Sequence, residues 1–256
     1  MKVKKILVSQ PKPSSDKSPY YEMADKYGVE LVFRPFIKTE GVTAKDFRTQ
    51  KINIADFSAI IFTSKTAVDN FFRLCEELRV AMPATQKYFC TSETIANYLQ
   101  KYIVYRKRKI FNSPTGKIDG LIPFLTKHKN EKFLLALSET GSNAEADALN
   151  GVIAFDRAAM YRTVSNDFAP DEPFDYDMLV FFSPAGIDSL FKNFPDFKQE
   201  NIVIATFGPT TTKAARDAGL NVQIEAPAPD APSMPAAIGN FLSAHQERAD
   251  EGAPTV

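Results

Sequence analysis

The residues of this chain best suited to bind a ligand are hydroxyl side chains in turns that follow short apolar segments. Five such turns occur, at residues 63–65, 91–94, 138–142, 183–184 and 208–211. Serine and threonine are common helix N-caps, and each turn alone is more often only a cap. Together they favour an anionic ligand, because free N–H groups and the helix dipole at helix starts attract carboxylates and phosphates.

The common catalytic motifs are absent from the sequence. It contains no GxGxxG, no GxxxxGK[ST], no HExxH and no GxSxG segment. Two cysteines, Cys75 and Cys90, and two histidines, His128 and His245, have no metal-ligand spacing. We therefore expect no metal, no disulfide and no serine–histidine triad.

Composition excludes several classes of protein. The 256 residues are 44% hydrophobic and 24% charged, with 31 Lys and Arg balancing 31 Asp and Glu. Formal neutrality argues against a nucleic-acid-binding protein, and no apolar run approaches the ~20 residues of a membrane span. The basic segment at 105–109 is typical of an exposed edge strand. The first residues resemble a strand and not a signal peptide, so we expect a cytoplasmic protein.

Apolar strands alternate with helical patterns along the chain. Strands are predicted at 5–9, 59–62, 133–137, 178–182 and 202–207, and helices at 66–78, 144–149, 185–191 and 211–218, the last ending at Gly219. Continuous apolar strands that alternate with helices predict an α/β fold with parallel sheets covered on both faces. Ligands bind such sheets at the carboxyl ends of the strands, where all five hydroxyl turns would lie.

A weak internal repeat suggests two similar lobes. The segment 62–72 aligns with 181–191, 91–99 with 208–216, and 111–125 with 226–242. Any two strand–helix units look alike to some degree, so the repeat alone does not require a duplicated fold.

Two extended segments, at 31–38 and 159–164, do not lead into clear helices and are interpreted as crossings between lobes. Lobe one then comprises 1–34 and 166–256, and the inserted lobe two comprises 39–157. Residues 35–38 and 158–165 form the connecting strands. The polar residues 245–256 are expected to be a disordered tail.

Four segments resemble the uroporphyrinogen-III synthase family: FTSKTAV at 62–68, YRT at 161–163, FSPAGI at 182–187 and FGPTTT at 207–212. The resemblance implies two flavodoxin-like lobes with parallel sheets, joined by a two-stranded connection, with the substrate between them. The family's enzymes are lyases of haem and other tetrapyrrole biosynthesis. They close hydroxymethylbilane, a linear tetrapyrrole with carboxylate side chains, to uroporphyrinogen III and invert the terminal pyrrole. No cofactor is implied.

The resemblance also implies residue roles. The catalytic acid maps to Tyr161. The substrate-binding residues are Thr63, Ser64, Lys65, Thr66, Ser92, Thr94, Ser138, Ser183, Ala185, Gly186, Gly208, Thr210 and Thr211. Two turns depart from the family pattern. Many family members have Gly at the position of Thr91, and residues 138–143 contain no Arg, although the family often has one there.

Two other interpretations fit the pattern of lobes. One is a non-enzymatic two-lobed protein that binds small anions, which would normally carry an export signal. The other is a sensor with receiver-like lobes, which would need acidic residues where this chain has hydroxyls. We expect a monomer that binds neither nucleic acid nor membrane.

Overall fold

The chain divides into two compact units. The computed structural model describes residues 3–140 and 143–251, with side chains described as far as residue 245. Unit 1 comprises Met1–Lys38 and Val164–Val256, and unit 2 comprises Thr39–Thr163.

The described residues form eleven strands and nine α-helices. In chain order the strands are β1 (Lys5–Val8), β2 (Glu30–Phe33), β3 (Ile37–Gly41), β4 (Ala59–Phe62), β5 (Lys87–Cys90), β6 (Ile110–Asn112), β7 (Phe133–Ser138), β8 (Phe155–Ser165), β9 (Met178–Phe181), β10 (Val203–Phe207) and β11 (Val222–Ala226). The helices are α1 (Pro19–Tyr27), α2 (Ala44–Thr49), α3 (Lys65–Glu77), α4 (Glu93–Tyr98), α5 (Ile122–Lys127), α6 (Ala144–Leu149), α7 (Pro184–Asn193), α8 (Pro209–Asp217) and α9 (Met234–Glu251). The chain passes from one unit to the other within β3 and again within β8.

Each unit contains a single sheet of mainly parallel strands. The order is β11-β10-β9-β1-β2 in unit 1 and β3-β8-β7-β4-β5-β6 in unit 2. All pairs in unit 1 are parallel, and so are the pairs from β8 to β6 in unit 2. The predicted α/β class with parallel sheets is confirmed.

Apolar strands make these sheets possible because both faces are buried. Every residue of β4 and of β9 is buried. In each unit the side chains divide between two apolar clusters, one for each face of the sheet. A strand covered by helices on both sides must be apolar at every position, which explains the continuous hydrophobic runs.

The two sheets have the same arrangement with different chain connections. The strands β9, β10 and β11 of unit 1 correspond to β4, β5 and β6 of unit 2, and β1 and β2 correspond to β7 and β8. The three matched segments of the internal repeat begin at or just after the ends of these equivalent strands and continue into the helices that follow, so the repeat corresponds to equivalent parts of the two units. Unit 1 has the flavodoxin strand order, and unit 2 has that order with the chain starting at a different strand.

Several elements differ from the sequence prediction. The segment 31–38 is not one crossing strand, because Leu31–Phe33 pair with β1 in unit 1 before the chain bends at Phe36 and enters β3. The basic segment 105–109 is not an edge strand; it is loop and turn that precede β6. Helix α9 continues to Glu251, where a disordered tail from residue 245 is predicted, and residues 252–256 lie outside the described part. None of the described helices is long and apolar enough to cross a lipid bilayer.

Candidate functional site

In unit 2 the strand order changes direction at β4 and β7. The chain proceeds from β4 to β5 and β6 on one side of the sheet, whereas β7 and β8 lie on the other side. The loops leaving two such neighbouring strands diverge, and they open a crevice at the carboxyl ends where ligands of α/β proteins bind. Ser64 follows β4 and Ser138 ends β7, so both lie at this position.

Ser64 joins helix α3 to the candidate catalytic tyrosine. Its Oγ accepts a hydrogen bond from the Ala67 N–H at 3.0 Å, which caps the helix. The same Oγ lies 3.2 Å from the Tyr161 hydroxyl. The serine therefore caps α3 and contacts the Tyr161 hydroxyl with the same oxygen.

Tyr161 reaches this place because β8 contains an irregularity. The register between β7 and β8 shifts after Leu137, so that Ser138 lies opposite Tyr161. The Tyr161 carbonyl accepts a hydrogen bond of 2.7 Å from the Glu139 N–H, and the Thr163 N–H donates to Thr140 Oγ1 at 3.1 Å. These bonds hold the turn after β7 against β8. Such bulges commonly redirect a side chain at a functional site.

The Ser138 hydroxyl is buried and has no hydrogen-bond partner among the described residues. A buried hydroxyl without a partner is unfavourable, so Ser138 lowers the stability of this part of the sheet. Gly141 and Ser142, part of the same predicted turn, lie outside the described residues. Ser138 thus adds a free polar group beside Tyr161 in the sheet.

A groove of about 350 Å³ lies in unit 2 at the ends of the neighbouring strands. Thr63 and Thr91 line it, and Thr91 Oγ1 donates to the Thr63 carbonyl at 3.3 Å, which ties the two turns together. Lys117 also lines the groove and supplies an exposed positive charge. Asp119 and Glu145 line the same groove, so its lining carries charges of both signs.

The other predicted residues of unit 2 surround these turns. Ser92 caps α4 by accepting from the Ile95 N–H at 3.3 Å. Thr94 is exposed in the first turn of α4 and Thr66 is half-buried in α3. The Lys65 ammonium group lies 5.2 Å from the centre of the Tyr98 ring. The sheet brings these residues to one edge, and only Ser64 directly contacts Tyr161.

Unit 1 has an equivalent position at the carboxyl ends of β1 and β9. Ser183 caps α7 as Ser64 caps α3, and its Oγ accepts from the Gly186 N–H at 3.3 Å. Ala185 is half-buried in the first turn of α7. A Cβ atom at Gly186 would lie 3.3 Å from the Phe181 ring, so the glycine is explained by packing. The matching of Ser64 and Ser183 gives each unit one capped helix at its switch point.

The turn after β10 leads into α8, whose first threonines differ in their exposure to solvent. Gly208 has a φ of 86°, a left-handed conformation that favours glycine, and it begins α8. Thr210 is exposed, whereas Thr211 is only 1% exposed. A ligand can reach Thr210 but not Thr211 as the helix is placed here. Burial explains Thr211 as part of the packing of α8, and of these two predicted residues Thr210 alone lies at the surface.

Comparison with known proteins identifies the family. Residues 18–236 match the family model described as uroporphyrinogen-III synthase HemD. The chain belongs to the uroporphyrinogen-III synthase family. The enzymes of this family are cyclising lyases of haem biosynthesis that bind a tetrapyrrole substrate. The resemblance carried by the segments at 62–68, 161–163, 182–187 and 207–212 is therefore confirmed.

Two solved structures are similar to this chain. The uroporphyrinogen-III synthetase of Helicobacter pylori 26695 is 19% identical, with a TM-score of 0.57 over 94% of this chain and 99% of that one. A mutant uroporphyrinogen III synthase from the extremely thermophilic bacterium Thermus thermophilus is 16% identical, with a TM-score of 0.48 over 95% and 99% of the two chains. No curated protein matched the sequence. At this identity the Helicobacter structure supports the two-lobed fold of the family.

Sequence analysis of this synthase-family chain missed two groups at the candidate site. Thr91 bridges two turns although the family often has Gly there, and Lys117 lies on a segment considered only for its repeat. The signal for Lys117 was available, because a single Lys follows Ser-Pro-Thr-Gly just after β6. No group of three or more His, Cys, Asp or Glu arranged for a metal ion occurs in the described ranges.

Proposed function

We propose that this chain cyclises hydroxymethylbilane to uroporphyrinogen III, with Tyr161 assisting departure of the substrate hydroxyl and the hydroxyl-rich turns binding its carboxylates. The observation that carries the assignment of residues is the contact between Ser64 Oγ and the Tyr161 hydroxyl at the switch point of unit 2. It occurs in a chain that matches the family over residues 18–236.

The hydrogen-bond pattern around Ser64 supports Tyr161 as a proton donor. Ser64 Oγ already accepts the Ala67 N–H, so its own proton can be donated to the phenol oxygen. The phenolic proton then points to a substrate. A hydrogen bond donated to the phenol oxygen stabilises the negative charge that develops there as the proton leaves.

The reaction requires only modest help from side chains. The pyrrole nitrogen expels the hydroxyl, which takes a proton and leaves as water, and the resulting azafulvene is attacked by the far pyrrole at its substituted carbon. The spiro intermediate reopens, the ring closes in the inverted orientation, and a proton is lost. The contribution of the protein is mainly to hold the two reacting ends in this unusual orientation.

The carboxylates of the substrate are proposed to bind at helix starts in both units. In unit 2 the groups are Thr63, Ser64, Lys65, Thr66, Ser92, Thr94, Ser138 and Lys117. In unit 1 they are Ser183, Ala185, Gly186, Gly208 and Thr210. Backbone N–H groups at the starts of α3, α7 and α8 supply donors without formal charge, which suits a polyanionic substrate despite the neutral chain.

A single chain carries both sets of turns, so we also propose that the enzyme acts as a monomer. Sedimentation equilibrium at assay concentration measures the mass directly, and a dimer would contradict this part of the proposal.

The product isomer tests the proposed activity. Purified protein, treated with chelator and given freshly made hydroxymethylbilane, is expected to yield mainly the type III isomer. The substrate closes by itself to type I, so an enzyme-free reaction is the reference. A product distribution identical to that reference would overturn the proposal.

Replacement of Tyr161 by Phe tests the proposed donor. General-acid assistance contributes about 10²–10⁴ in rate, and a phenol is a weak acid, so we expect kcat to fall about ten- to a hundredfold. The remaining product should stay largely type III, because the binding turns are intact. Tyr98→Phe is the control, since the Tyr98 hydroxyl bonds to Asp69 in the same unit. Wild-type kcat in Tyr161→Phe would remove the tyrosine from the mechanism.

A further inference from the structure

In unit 2, the residue that precedes the N-cap of a helix lines a groove. Thr63 precedes Ser64, the N-cap of α3, and Thr91 precedes Ser92, the N-cap of α4. Both threonines line the groove of about 350 Å³ described above, and the Thr91 hydroxyl donates to the Thr63 carbonyl. The position before these two N-caps therefore faces space that a ligand can enter.

Unit 1 has phenylalanine at both equivalent positions. Phe182 precedes Ser183, the N-cap of α7, and Phe207 precedes Gly208, the N-cap of α8. The strands β9 and β10 correspond to β4 and β5, and in both units the residues one position earlier lie opposite each other in the sheet. The two turns of unit 1 are therefore aromatic where those of unit 2 have hydroxyl groups.

The two phenylalanines form one surface. Their ring centres are 5.9 Å apart, and the ring planes are inclined by 30°. Both rings pack against the same apolar cluster on one face of the sheet, and both side chains are half-buried, so part of each ring is open to solvent. The pair lies at the carboxyl ends of β9 and β10, where α/β proteins bind their ligands.

The packing of the helix starts does not explain these rings. A hydrophobic residue before an N-cap often packs against the fourth residue of the helix. In α7 that residue is Ile187, which belongs to the apolar cluster on the other face of the sheet from Phe182. In α8 it is Thr212, whose hydroxyl pairs with that of Thr206. Neither phenylalanine therefore fixes the start of its helix.

A tetrapyrrole presents two kinds of surface to such turns. Its carboxylates bind hydrogen-bond donors and positive charge, whereas each pyrrole ring presents a flat π face. Aromatic side chains bind such a ring by burying apolar area and by offset or edge contacts, which stabilise the pair beyond the area buried. The aromatic turns of unit 1 fit the rings of the molecule, as its helix starts fit the carboxylates.

We infer that Phe182 and Phe207 bind a pyrrole ring of the tetrapyrrole, beside the carboxylates that the starts of α7 and α8 hold. The inference rests on the proposed function and adds the part of the substrate that these two residues contact. Their role is binding and not proton transfer. The equivalent threonines of unit 2 have no ring and do not contribute such a contact.

Substitution by the residue of unit 2 tests this assignment. Phe182→Thr and Phe207→Thr should each weaken the binding of uroporphyrinogen III, the proposed product, about three- to tenfold, because one aromatic contact is lost. Equilibrium dialysis without oxygen measures the affinity apart from turnover. The KM for hydroxymethylbilane should rise by a similar factor and kcat should change by less than about twofold, since the ring is held equally before and during the reaction.

Leucine variants separate the ring contact from the packing of the core. Phe191 is also half-buried in unit 1 and contacts another ring, but it lies near the end of α7, away from the N-cap. Phe182→Leu and Phe191→Leu should lower the melting temperature by similar amounts. Only Phe182→Leu should weaken product binding, about two- to fivefold. Because Leu keeps the apolar packing, this comparison remains possible if the Thr variants do not fold.

Nuclear Overhauser effects between ligand and protein detect the contact directly. In the complex with uroporphyrinogen III, the methylene protons of the ligand should show such effects to ring protons that are lost in Phe182→Leu. Their absence from a complex that forms, or unchanged affinity in the Phe182 variants, would overturn the inference while cyclisation persists. A protein that neither binds this product nor forms the type III isomer would overturn the proposed function, and this inference with it.

Discussion

At the scale of single residues, the side chains around a helix-capping residue decide whether that residue also has a functional role. Ser64 and Thr43 both cap helices of unit 2, each with a hydrogen bond of 3.0 Å to a backbone N–H. Only Ser64 also contacts the Tyr161 hydroxyl. Substitutions at the two residues can therefore be compared to separate the loss of stability on removing a helix cap from the effect on catalysis.

Ser64→Ala and Thr43→Ala should each lower the free energy of unfolding by about 1 kcal/mol, the typical value of an N-cap. Only Ser64→Ala should lower kcat, about three- to tenfold, because it alone removes a hydrogen bond to the proposed proton donor. Urea denaturation and steady-state rates on the same preparations measure both quantities. Equal rates in the two variants would assign Ser64 a purely structural role.

The Arg34–Glu172 ion pair fixes the end of β2 to a later part of unit 1. Arg34 Nε and Nη2 donate to the two Glu172 carboxylate oxygens at 2.8 and 3.1 Å. The guanidinium also bonds to the carbonyls of Pro35, Asn166 and Asp167. The hydrogen bond from Arg34 lowers the pKa of Glu172 below its ordinary value, partly opposed by desolvation.

A lowered folded-state pKa stabilises the protein above the unfolded pKa of Glu, about 4.3, and this stabilisation is lost as pH falls through the folded value. We expect Glu172→Gln to be less stable than wild type at pH 7. The difference should shrink as the pH is lowered below about 4.5. Urea denaturation of both proteins at pH 7 and pH 4 measures it, and an equal difference at the two values would contradict the linkage.

At the scale of elements, the orientation of helix α8 decides which threonine of residues 210–212 meets solvent. Thr212 Oγ1 lies 2.7 Å from Thr206 Oγ1 inside unit 1, and Thr211 is equally withdrawn. Thr210 faces outward. Each residue along a helix rotates the side chain by about 100°, so Thr210 lies on the outer face of α8, whereas Thr211 and Thr212 lie on the inner one.

Carboxylate substitutions at these positions should have different effects. Thr210→Glu should keep the melting temperature and weaken substrate affinity, because a negative charge repels the carboxylates at the helix start. Thr211→Glu should destabilise the fold itself, since an unpaired charge is buried. Differential scanning calorimetry measures the change in melting temperature, and steady-state kinetics measures the change in KM for the substrate. A folded Thr211→Glu protein with a selective loss of affinity would show that Thr211 contacts the substrate after all.

At the scale of the whole molecule, unit 2 is continuous in sequence, whereas unit 1 is assembled from both ends of the chain. Unit 2 contains its own sheet and an apolar cluster on each face of it. A domain of ordinary size with its own core is able to fold alone.

We expect a fragment of residues 37–165, which keeps β3 and β8 whole, to fold cooperatively by itself. Circular dichroism and NMR dispersion of the fragment, compared with the intact protein, are the measurements. A disordered spectrum would show that the core of unit 2 depends on the rest of the chain. The tetrapyrrole should not be cyclised by the fragment, because two of the five proposed binding turns, at 183–184 and 208–211, are missing.

The sequence alone determined many of the local elements of this protein, and it was enough to identify the family. The strands β1, β4, β7, β9 and β10 and the helices after β4, β7, β9 and β10 were predictable, because fully buried strands and helix periodicity leave a direct mark on residue types. The elements β5 and β6 were missed, since KYFC and IFN each include a polar residue and lack the continuous aliphatic run of the predicted strands. The family segments, in their order along the chain, were enough to identify the family, and the family match over residues 18–236 confirms this identification.

Only the tertiary structure decided which residues meet. Ser64 and Tyr161 are 97 positions apart, and their contact depends on strand order and on the irregularity between β7 and β8, neither of which is encoded locally. The burial of Thr211 and the free Ser138 hydroxyl likewise depend on what packs around each side chain. Residue type limits the chemistry available at a position, but long-range packing determines whether that chemistry is free to be used.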